Sequence, residues 1–480
     1  MKPEVRNAVI AACAAMFVEG FYATVSFPFA SFMVEDMRGR ENLGTMTGLF
    51  FTAFPIGSLL TAKRWGDTGN IIGRRNSLLI SVSCQLVLTL GMAFCPIYEI
   101  MVFLRFLQGF TNCTLPMTRT TLRERIQQLE CLDDEVRAFS LLQTAYAASV
   151  VSGPAIGGFL YGLPAGTFIL PWGTAHLLCV VFYCFSLLFN YMFMVETVDL
   201  DVPNDLRRQS SREVKLSDDM SMIYYMLMVS GHSYVFTGWE VGYPLLARNK
   251  ELQGWSSAMI GITFLVGSIG LLLHTLFSYP IMVRSWGLGS VWSSSWLICI
   301  VVLIVFPRLV NQMLSMGYAG HSTEIIIANY VAQLFVSVLQ GCNFTTLQFI
   351  LNRLIAVRND SEYALPLANG WSAALQAVAR AISPSFTGTF MTSESIFDGN
   401  LSFDALAVIG ILCCFLSGWV LQKSLGKKVL ALEHGGSADV DDYKVLRDEE
   451  DAVPGKSSSA GLDSVPTTGQ PQLARPVLLC

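Results

Sequence analysis

Length and composition place this chain in a membrane. Of its 480 residues, 52% are hydrophobic and only 14% are charged, and the mean hydropathy is +0.50. This composition excludes an ordinary soluble domain and is typical of a protein that crosses a bilayer several times. The formal net charge of −5 comes largely from an acidic C-terminal tail, so it says little about binding partners.

Twelve apolar runs are long enough to cross the hydrocarbon core as helices, because about 20 residues span it. They lie at about residues 8–34, 44–63, 76–95, 97–118, 139–163, 172–195, 221–247, 256–280, 287–307, 324–350, 364–391 and 402–424. The first run is too long for a cleaved signal peptide. We therefore predict an all-α membrane protein with twelve transmembrane helices, numbered here as spans one to twelve.

Positive charges are unevenly distributed between the loops. Alternate loops carry most of the cations, namely Lys63, Arg64, Arg74, Arg75, Arg119, Arg123, Arg125, Arg137, Arg207, Arg208, Arg212, Lys215, Arg353, Arg358, Lys423, Lys427 and Lys428. Because positively charged loops stay in the cytoplasm, both termini are predicted to be cytoplasmic.

The spans divide into two groups of six. We predict an N-terminal six-helix half at 1–195, a cytoplasmic central loop at 196–220, a C-terminal six-helix half at 221–425 and a disordered cytoplasmic tail at 426–480. Internal similarity supports two related halves, since Ser26-Phe27-Pro28 resembles Gly242-Tyr243-Pro244, and the segment 153–158 resembles the segment 383–388. Two like halves with a substrate site between them form a transporter architecture.

Among the ionisable side chains inside spans, five are candidate site residues: Glu19, Arg105, His232, Glu240 and Arg380. Such groups are costly in a membrane, so they usually face a polar cavity or a partner. A carboxylate there can hold a proton, as a proton carrier requires. Glu19 is alternatively only a structural partner of Arg105, and His232 fits a packed, hydrogen-bonded residue better than a metal ligand.

Amide side chains extend these polar faces. Gln108 and Asn112 continue the face of Arg105, and Gln376 shares a face with Arg380. A stripe of three amides on span ten either lines the cavity or holds helices together, and we favour the cavity because three exceed what packing needs. The predicted cavity and proton-coupling residues are Glu19, Arg105, Gln108, Asn112, His232, Glu240, Asn329, Gln333, Gln340, Gln376 and Arg380.

The loop after span two contains spaced glycines and ends in two arginines. The pattern comprises Gly66, Asn70, Gly73, Arg74 and Arg75. Glycines permit a tight turn between helices, and the cations anchor at the anionic inner leaflet. An ordinary positive-inside loop accounts for the arginines but not for the glycine spacing, so we predict a conformational switch loop.

Small residues form one face of span five. Ser149, Gly153 and Gly157 recur every four residues, and Pro154 and Gly158 lie beside them. Such a face lets another helix backbone approach closely. Pro154 removes a hydrogen bond that neighbouring helices must compensate. A tightly packed helix pair without a transport role is the alternative.

The C-terminal tail is polar and acidic, so it cannot bury enough apolar surface to fold alone. Within it, Tyr443 and Leu446 fit the pattern Tyr-x-x-apolar, which resembles a sorting signal bound by vesicle-coat adaptors; a merely solvated tail is the alternative. The twelve cysteines are scattered without a Cys-x-x-Cys pair, so we expect no disulfide framework and no structural zinc.

These motifs resemble those of the major facilitator superfamily. The loop resembles the family signature Gly-x-x-x-(Asp/Asn)-Arg-x-Gly-Arg-Arg, with Ile71 replacing the first arginine. Arg105-Phe106-Leu107-Gln108-Gly109 resembles Arg-x-x-Gln-Gly, and span five resembles the antiporter motif Gly-x-x-x-Gly-Pro-x-x-Gly-Gly except at its first position. In the family the loop holds the two halves together in one conformation, and the missing acid and arginine imply a weaker latch here.

Within that superfamily the pattern is most similar to drug:proton antiporters, particularly the zinc-induced-facilitator-like branch. The residues behind this are Phe27-Pro28, Glu35-Asp36, Trp65-Gly66, Tyr243-Pro244, Tyr279-Pro280 and Asn369-Gly370, with Arg380 and Pro384. The resemblance implies alternating access with proton exchange against small organic ions or metal chelators.

We therefore expect a secondary transporter rather than an enzyme, since no hydrolase, zinc-protease or P-loop motif is present in the sequence. A receptor or scaffold that has lost transport, and a pH-independent uniporter, are the alternatives. The expected partners are a small solute, protons, the lipid bilayer and sorting adaptors. We expect a monomer in a vacuolar, lysosomal, endosomal or plasma membrane, with no cofactor, resident metal or nucleic acid.

Replacing Tyr443 tests the sorting hypothesis. Tyr443→Ala removes the aromatic ring that would fill an adaptor pocket, so a fluorescently tagged protein should shift from an endomembrane compartment to the cell surface. Lys444→Ala alters a variable position of the pattern and should leave the distribution unchanged. An identical distribution of wild type and Tyr443→Ala would remove the sorting signal.

Overall fold

The structure is a computed structural model that describes residues 2–129, 135–163, 170–198, 220–249, 252–356, 361–392 and 400–423. Its helices are α1 (Pro3–Val25), α2 (Ala30–Arg38), α3 (Leu43–Ile72), α4 (Arg74–Ala93), α5 (Tyr98–Thr111), α6 (Thr114–Gln128), α7 (Glu135–Leu160), α8 (Gly173–Phe193), α9 (Met220–Arg248), α10 (Ser257–Leu273), α11 (Tyr279–Trp286), α12 (Leu288–Ser315), α13 (Thr323–Ala356), α14 (Ser361–Thr392) and α15 (Asn400–Lys423). A π-helical turn, His274–Ser278, joins α10 to α11.

Every predicted apolar run is occupied by one helix or by consecutive helices. Span one comprises α1 and α2, span four comprises α5 and α6, and span eight comprises α10, the π-helical turn and α11. Within the described ranges, seven helical segments are long and apolar enough on their own to cross a membrane. The protein is therefore an all-helical, multi-pass membrane protein. Most of the predicted central loop and all of the predicted tail, including Tyr443 and Leu446, lie outside the described residues.

Two of the breaks have local chemical causes. Span one breaks at residues 26–29, where Pro28 has no N–H to donate. In span four, α5 ends before Asn112, whose backbone is extended. The Asn112 side-chain oxygen accepts a hydrogen bond from the Thr114 backbone N–H at 2.9 Å, which caps the start of α6. The prediction that Asn112 continues a helical face from Arg105 is corrected, because Asn112 lies in the break.

The switch-loop segment is mostly helical rather than a loop. Helix α3 continues through Gly66 and Asn70 to Ile72, and the reversal occurs at Gly73, where φ is 95°. Only glycine adopts such a backbone readily. The predicted end of span two near residue 63 is corrected to Ile72, and the expected tight turn at a glycine is present at Gly73.

Spans one and five pack closely within the N-terminal group of helices. A side chain at Gly153 would meet Thr24, and one at Gly157 would meet the Val25 carbonyl. Ser149 lies against Gly20 in the same interface. The small face of span five therefore joins two helices of the same group, as expected for small-residue helix packing.

The helices before residue 199 meet those after residue 219 mainly through two helix pairs, α3 with α14 and α7 with α10. In the first pair, Gly48 lies against the Pro384 backbone and Gly388 lies against Gly44. In the second pair, Gly158 lies against Ser257, whose hydroxyl donates to the Gly158 carbonyl at 3.1 Å. Backbones approach this closely only where side chains are absent.

These contacts concentrate at one end of the bundle, which we call the closed end. Here Glu35 of α2 forms ion pairs with Arg248, at the end of α9, and with Arg40 at 2.7 Å. Arg248 is 6% exposed and lies over the Phe32 ring at 4.3 Å. The closed end thus joins the two groups of helices through an ion pair shielded by an aromatic ring.

A disulfide can test the contact between spans two and eleven. The hydroxyl oxygens of Thr45 and Thr389 are 3.4 Å apart, so Thr45→Cys with Thr389→Cys should oxidise readily. The variant is made in a chain whose twelve native cysteines are replaced, with a protease site inserted between residues 199 and 219. After cleavage, the two fragments should migrate together on a non-reducing gel and separate after reduction.

Leu60→Cys with Thr389→Cys is the matched control. Leu60 is on the same helix but 59% exposed, and its 15-residue offset from Thr45 corresponds to about 22 Å along the helix. This pair should not crosslink. Equal crosslinking of both pairs, or of neither, would contradict the described packing.

Candidate functional site

Five side chains from both groups of helices form an electrostatic cluster, which we call the central cluster: Glu19, Arg119, Tyr146, Glu240 and Arg380. The Tyr146 hydroxyl group interacts electrostatically with all four of the others. Glu19 and Glu240 lie about 9 Å and 12 Å along their helices from the ends at Val25 and Arg248, by the rise of an α-helix. The central cluster therefore lies inside the bundle, below the closed end.

Glu19 is half-buried on span one and is held by an amide. The side-chain N–H of Asn112 donates to Glu19 Oε1 at 2.5 Å. The break in span four makes this possible, because it places Asn112 at the end of α5 with its side-chain oxygen turned to α6. One asparagine thus caps a helix with its oxygen and holds a carboxylate with its nitrogen.

Arg105 lies in a cage of aromatic rings. Its guanidinium carbon is 4.6 Å from the centre of the Tyr22 ring, 5.2 Å from Phe54 and 5.4 Å from Phe50. The residue is 4% exposed. It interacts electrostatically with Glu19, but no ion pair joins the two among the described residues. Cation–π contacts therefore compensate much of the cost of burying this charge.

Gln108 does not line a cavity, which corrects the prediction. It is fully buried, it accepts a hydrogen bond from the Tyr22 hydroxyl, and it donates to Thr89 Oγ1 at 3.0 Å. Gln85 donates to its backbone carbonyl at 2.6 Å. Because its side-chain groups are used inside the helix packing, Gln108 joins spans one, three and four.

Glu240 is the second carboxylate of the central cluster. It is half-buried on span seven and accepts a hydrogen bond from Gln340 of span ten at 3.3 Å. The backbone carbonyl of Gln340 is 3.3 Å from His232 Nε2. His232 is 5% exposed and its ring centre lies 4.7 Å from that of Phe236. His232 is therefore packed and hydrogen-bonded, in agreement with the interpretation favoured from its sequence context.

The three amides on span ten, Asn329, Gln333 and Gln340, have different surroundings. Asn329 is fully buried and donates to Gln253 Oε1 at 2.8 Å. Gln333 is 3% exposed and accepts from the Trp239 indole at 2.8 Å. The assignment of these two amides to a cavity is corrected, because Gln333 joins two helices and Asn329 joins its helix to the turn before α10. Gln340 remains beside Glu240. Gln376 is half-buried on span eleven and donates to Ser372 at 3.2 Å.

Arg380 is exposed on span eleven, although the helices of both groups surround its position. One turn further along the same face, Ser383 donates to the Tyr234 carbonyl of span seven at 2.5 Å, while Pro384 lies against Gly48 of span two. Residues three and four apart share a helix face. Arg380 therefore points between spans two and seven, towards Glu240, with which it interacts electrostatically.

The turn at Gly73 is held by acids that the sequence analysis missed. The backbone N–H groups of Arg74 and Arg75 donate to the Glu196 carboxylate at 2.8 and 3.1 Å. The Arg74 side chain pairs with Glu124 at 3.3 Å. A carboxylate at a helix N-terminus satisfies free N–H groups and the helix dipole. The sequence positions of both acids could have identified them as partners of the turn. Glu124 is the first acidic residue after the Arg105 motif, and Glu196 is the first after span six.

Two residues of the central cluster were also missed. Arg119 was assigned to a charged loop, but it lies on α6 within the bundle. Tyr146 precedes the small residues of span five on the same face, and its ring lies against Gly20.

Within the described ranges, no group of three or more His, Cys, Asp or Glu residues is arranged to hold a metal ion.

The sequence profile of the Major Facilitator Superfamily matches residues 12–384. The chain belongs to this family. Two similar proteins are ZINC INDUCED FACILITATOR-LIKE 1 of Arabidopsis thaliana, 24% identical over 403 residues (75% of this chain, 79% of the relative), and the efflux pump azaK of Aspergillus niger, 23% identical over 392 residues (79% and 80%). The resemblance to drug antiporters and to the zinc-induced-facilitator branch is thus confirmed.

A solved D-xylose-proton symporter has the same fold, with a TM-score of 0.65, 17% sequence identity and coverage of 86% of this chain and 97% of the symporter. Together with the family profile, this likeness defines the protein as a membrane transporter of small solutes and not an enzyme.

Changing Arg105 to lysine tests the aromatic cage. Lysine keeps the charge but lacks the planar group that stacks on aromatic rings, so Arg105→Lys should reduce stability by about 2 kcal/mol. The measurement is thermal unfolding in detergent, followed by intrinsic fluorescence. Arg6→Lys, at an exposed position of α1, should leave the melting temperature unchanged, and the same result for Arg105→Lys would exclude a stabilising cage.

Proposed function

We propose that this protein is a proton-coupled antiporter that exchanges protons for a small organic solute by alternating access. The observation that carries the proposal is the pair of carboxylates in the central cluster. Glu19 comes from the first helix of the N-terminal group and Glu240 from the first helix of the C-terminal group, and both interact with Tyr146. One protonation event can therefore affect both groups of helices.

The hydrogen-bond partners of the carboxylates suit reversible protonation. Each carboxylate accepts a hydrogen bond from an amide, Asn112 for Glu19 and Gln340 for Glu240. A protonated carboxyl group still has an acceptor oxygen, so these bonds can survive when the proton arrives. An ion pair would be lost at that step, and neither carboxylate forms one within the part of the chain that the structure describes.

The closed end supplies the alternating part of the mechanism. Its glycine contacts and the Glu35–Arg248 ion pair join the two groups of helices above the central cluster. Packed interfaces of this kind switch between discrete arrangements rather than deforming continuously. We propose that the closed end opens in the opposite state, and that the turn held by Glu196 and Glu124 belongs to the same switch.

The remaining features of the proposal follow from the sequence. The two halves are residues 1–195 and 221–425, both termini are cytoplasmic, and the protein acts as a monomer in a vacuolar, lysosomal, endosomal or plasma membrane. The efflux pump among its relatives supports solute export from the cytoplasm. A metal chelator is one form that the small organic solute can take.

Neutralising each carboxylate tests proton coupling. Purified protein is reconstituted in vesicles containing a pH-sensitive dye, and proton flux is recorded after adding p-aminohippurate, citrate, tetraethylammonium or glucose. The wild type should show solute-dependent proton flux, and Glu19→Gln and Glu240→Gln should each reduce it at least tenfold, because an amide cannot carry the proton.

Glu324→Gln is the matched control, since Glu324 is an exposed residue in the first turn of α13, and it should behave as the wild type. If Glu19→Gln and Glu240→Gln both keep solute accumulation driven by a pH gradient, neither carboxylate carries the coupled proton. Solute movement that ignores pH in the wild type would identify a uniporter, and no movement of any solute would favour a receptor or scaffold.

A further inference from the structure

Arg119 and Arg380 differ from the other buried or bridging arginines of the described residues in the kind of contact they make. Arg248 pairs with Glu35, Arg74 pairs with Glu124, and Arg105 lies in its aromatic cage. Arg119 and Arg380 are exposed, and among the described residues neither forms a hydrogen bond or an ion pair. A guanidinium is always charged and has several N–H donors in a planar fork, so both have unused binding capacity.

The position of these arginines excludes the lipid-facing surface as an explanation. Both interact electrostatically with Tyr146 of span five. Arg380 points between spans two and seven, as its neighbours Ser383 and Pro384 define. The Arg380 guanidinium therefore belongs to the space between the two groups of helices, and Arg119 interacts with the same tyrosine from α6.

Among the described residues, Glu19 and Glu240 do not form hydrogen bonds with the free N–H donors of Arg119 and Arg380. Glu19 and Glu240 are half-buried and hydrogen-bonded to amides, whereas the arginines are the exposed members. The arginines are therefore the exposed charges of the cluster, including in the deprotonated state of the carboxylates that takes up solute in an antiport cycle. A cationic solute would then meet like charges in a partly desolvated site, which is unfavourable.

We propose that the transported solute is an organic anion whose acidic group or groups bind Arg380 and Arg119 on either side of Tyr146. Carboxylate and phosphate groups fit the planar fork of arginine through paired, charge-assisted hydrogen bonds. Tyr146, which interacts electrostatically with both cations, adds a hydroxyl group to the site.

This inference rests on the proposed antiport but names its solute class, and competition between charged solutes tests it. Radiolabelled p-aminohippurate, citrate and tetraethylammonium are offered to vesicles containing the wild type, with proton flux recorded in parallel. We expect uptake of at least one of the two anions and none of tetraethylammonium. Arg380→Gln and Arg119→Gln should each raise the KM for the anion by about 10-fold to 100-fold, the range for charge-assisted hydrogen bonds.

Further variants separate binding from folding. Arg380→Lys keeps the charge but loses the fork, so its KM should lie between those of the wild type and Arg380→Gln. Arg6→Gln, outside the cluster, should be unchanged. The anion should raise the melting temperature of the wild type in detergent and not that of Arg380→Gln. If one arginine variant does not fold, the solute preference of the wild type still decides.

The outcomes distinguish the two proposals. Uptake of tetraethylammonium or glucose with proton flux, or an anion KM unchanged in both arginine variants, would overturn the anion site and leave the antiport standing. Anion uptake without proton flux, lost in the arginine variants, would support the anion site and contradict proton coupling. No movement of any solute by the wild type would overturn both.

Discussion

An ionised side chain inside a hydrocarbon core has a large desolvation cost, and this protein meets that cost differently for each charge. Arg105 is surrounded by the rings of Tyr22, Phe50 and Phe54, while Glu19 and Glu240 are held by amides. Arg119 and Arg380 have neither an aromatic cage nor an amide partner among the described residues, and both are exposed. These three environments separate the charge that is enclosed by rings and the charges that are held by amides from the charges that stay exposed.

Close backbone contact is the second constraint, and it separates static from mobile interfaces. Gly153 and Gly157 face span one within the same group of helices, whereas the adjacent Gly158 faces span eight of the other group. One helix thus serves two interfaces through neighbouring glycines. In the alternating-access cycle proposed above, span five would move with span one as a unit while its contact at Gly158 forms and breaks, since packed interfaces switch as whole units.

The two ends of the bundle are held by different chemistry. At the closed end, Arg248 combines an ion pair to Glu35 with an aromatic ring. At the turn after span two, Glu196 binds the N-terminus of α4 through backbone N–H groups, in a segment whose usual acidic position is occupied by Asn70. Glu124 supplies a negative charge to Arg74 from span four. Glu196 and Glu124, which lie elsewhere in the chain, therefore supply the negative charges that the segment itself lacks at Asn70.

The sequence by itself determined the membrane class, the order of apolar runs and the family, because hydropathy and short motifs are local properties. It also identified Glu19, Arg105, Glu240 and Arg380, since charges within apolar runs are conspicuous. Tertiary structure alone decided that Gln108, Asn329 and Gln333 hold helices together, because helical spacing defines a face but not the neighbour of that face. It likewise decided the contacts of Arg119, Tyr146, Glu124 and Glu196, whose partners lie on other helices and leave no periodic signal in the chain.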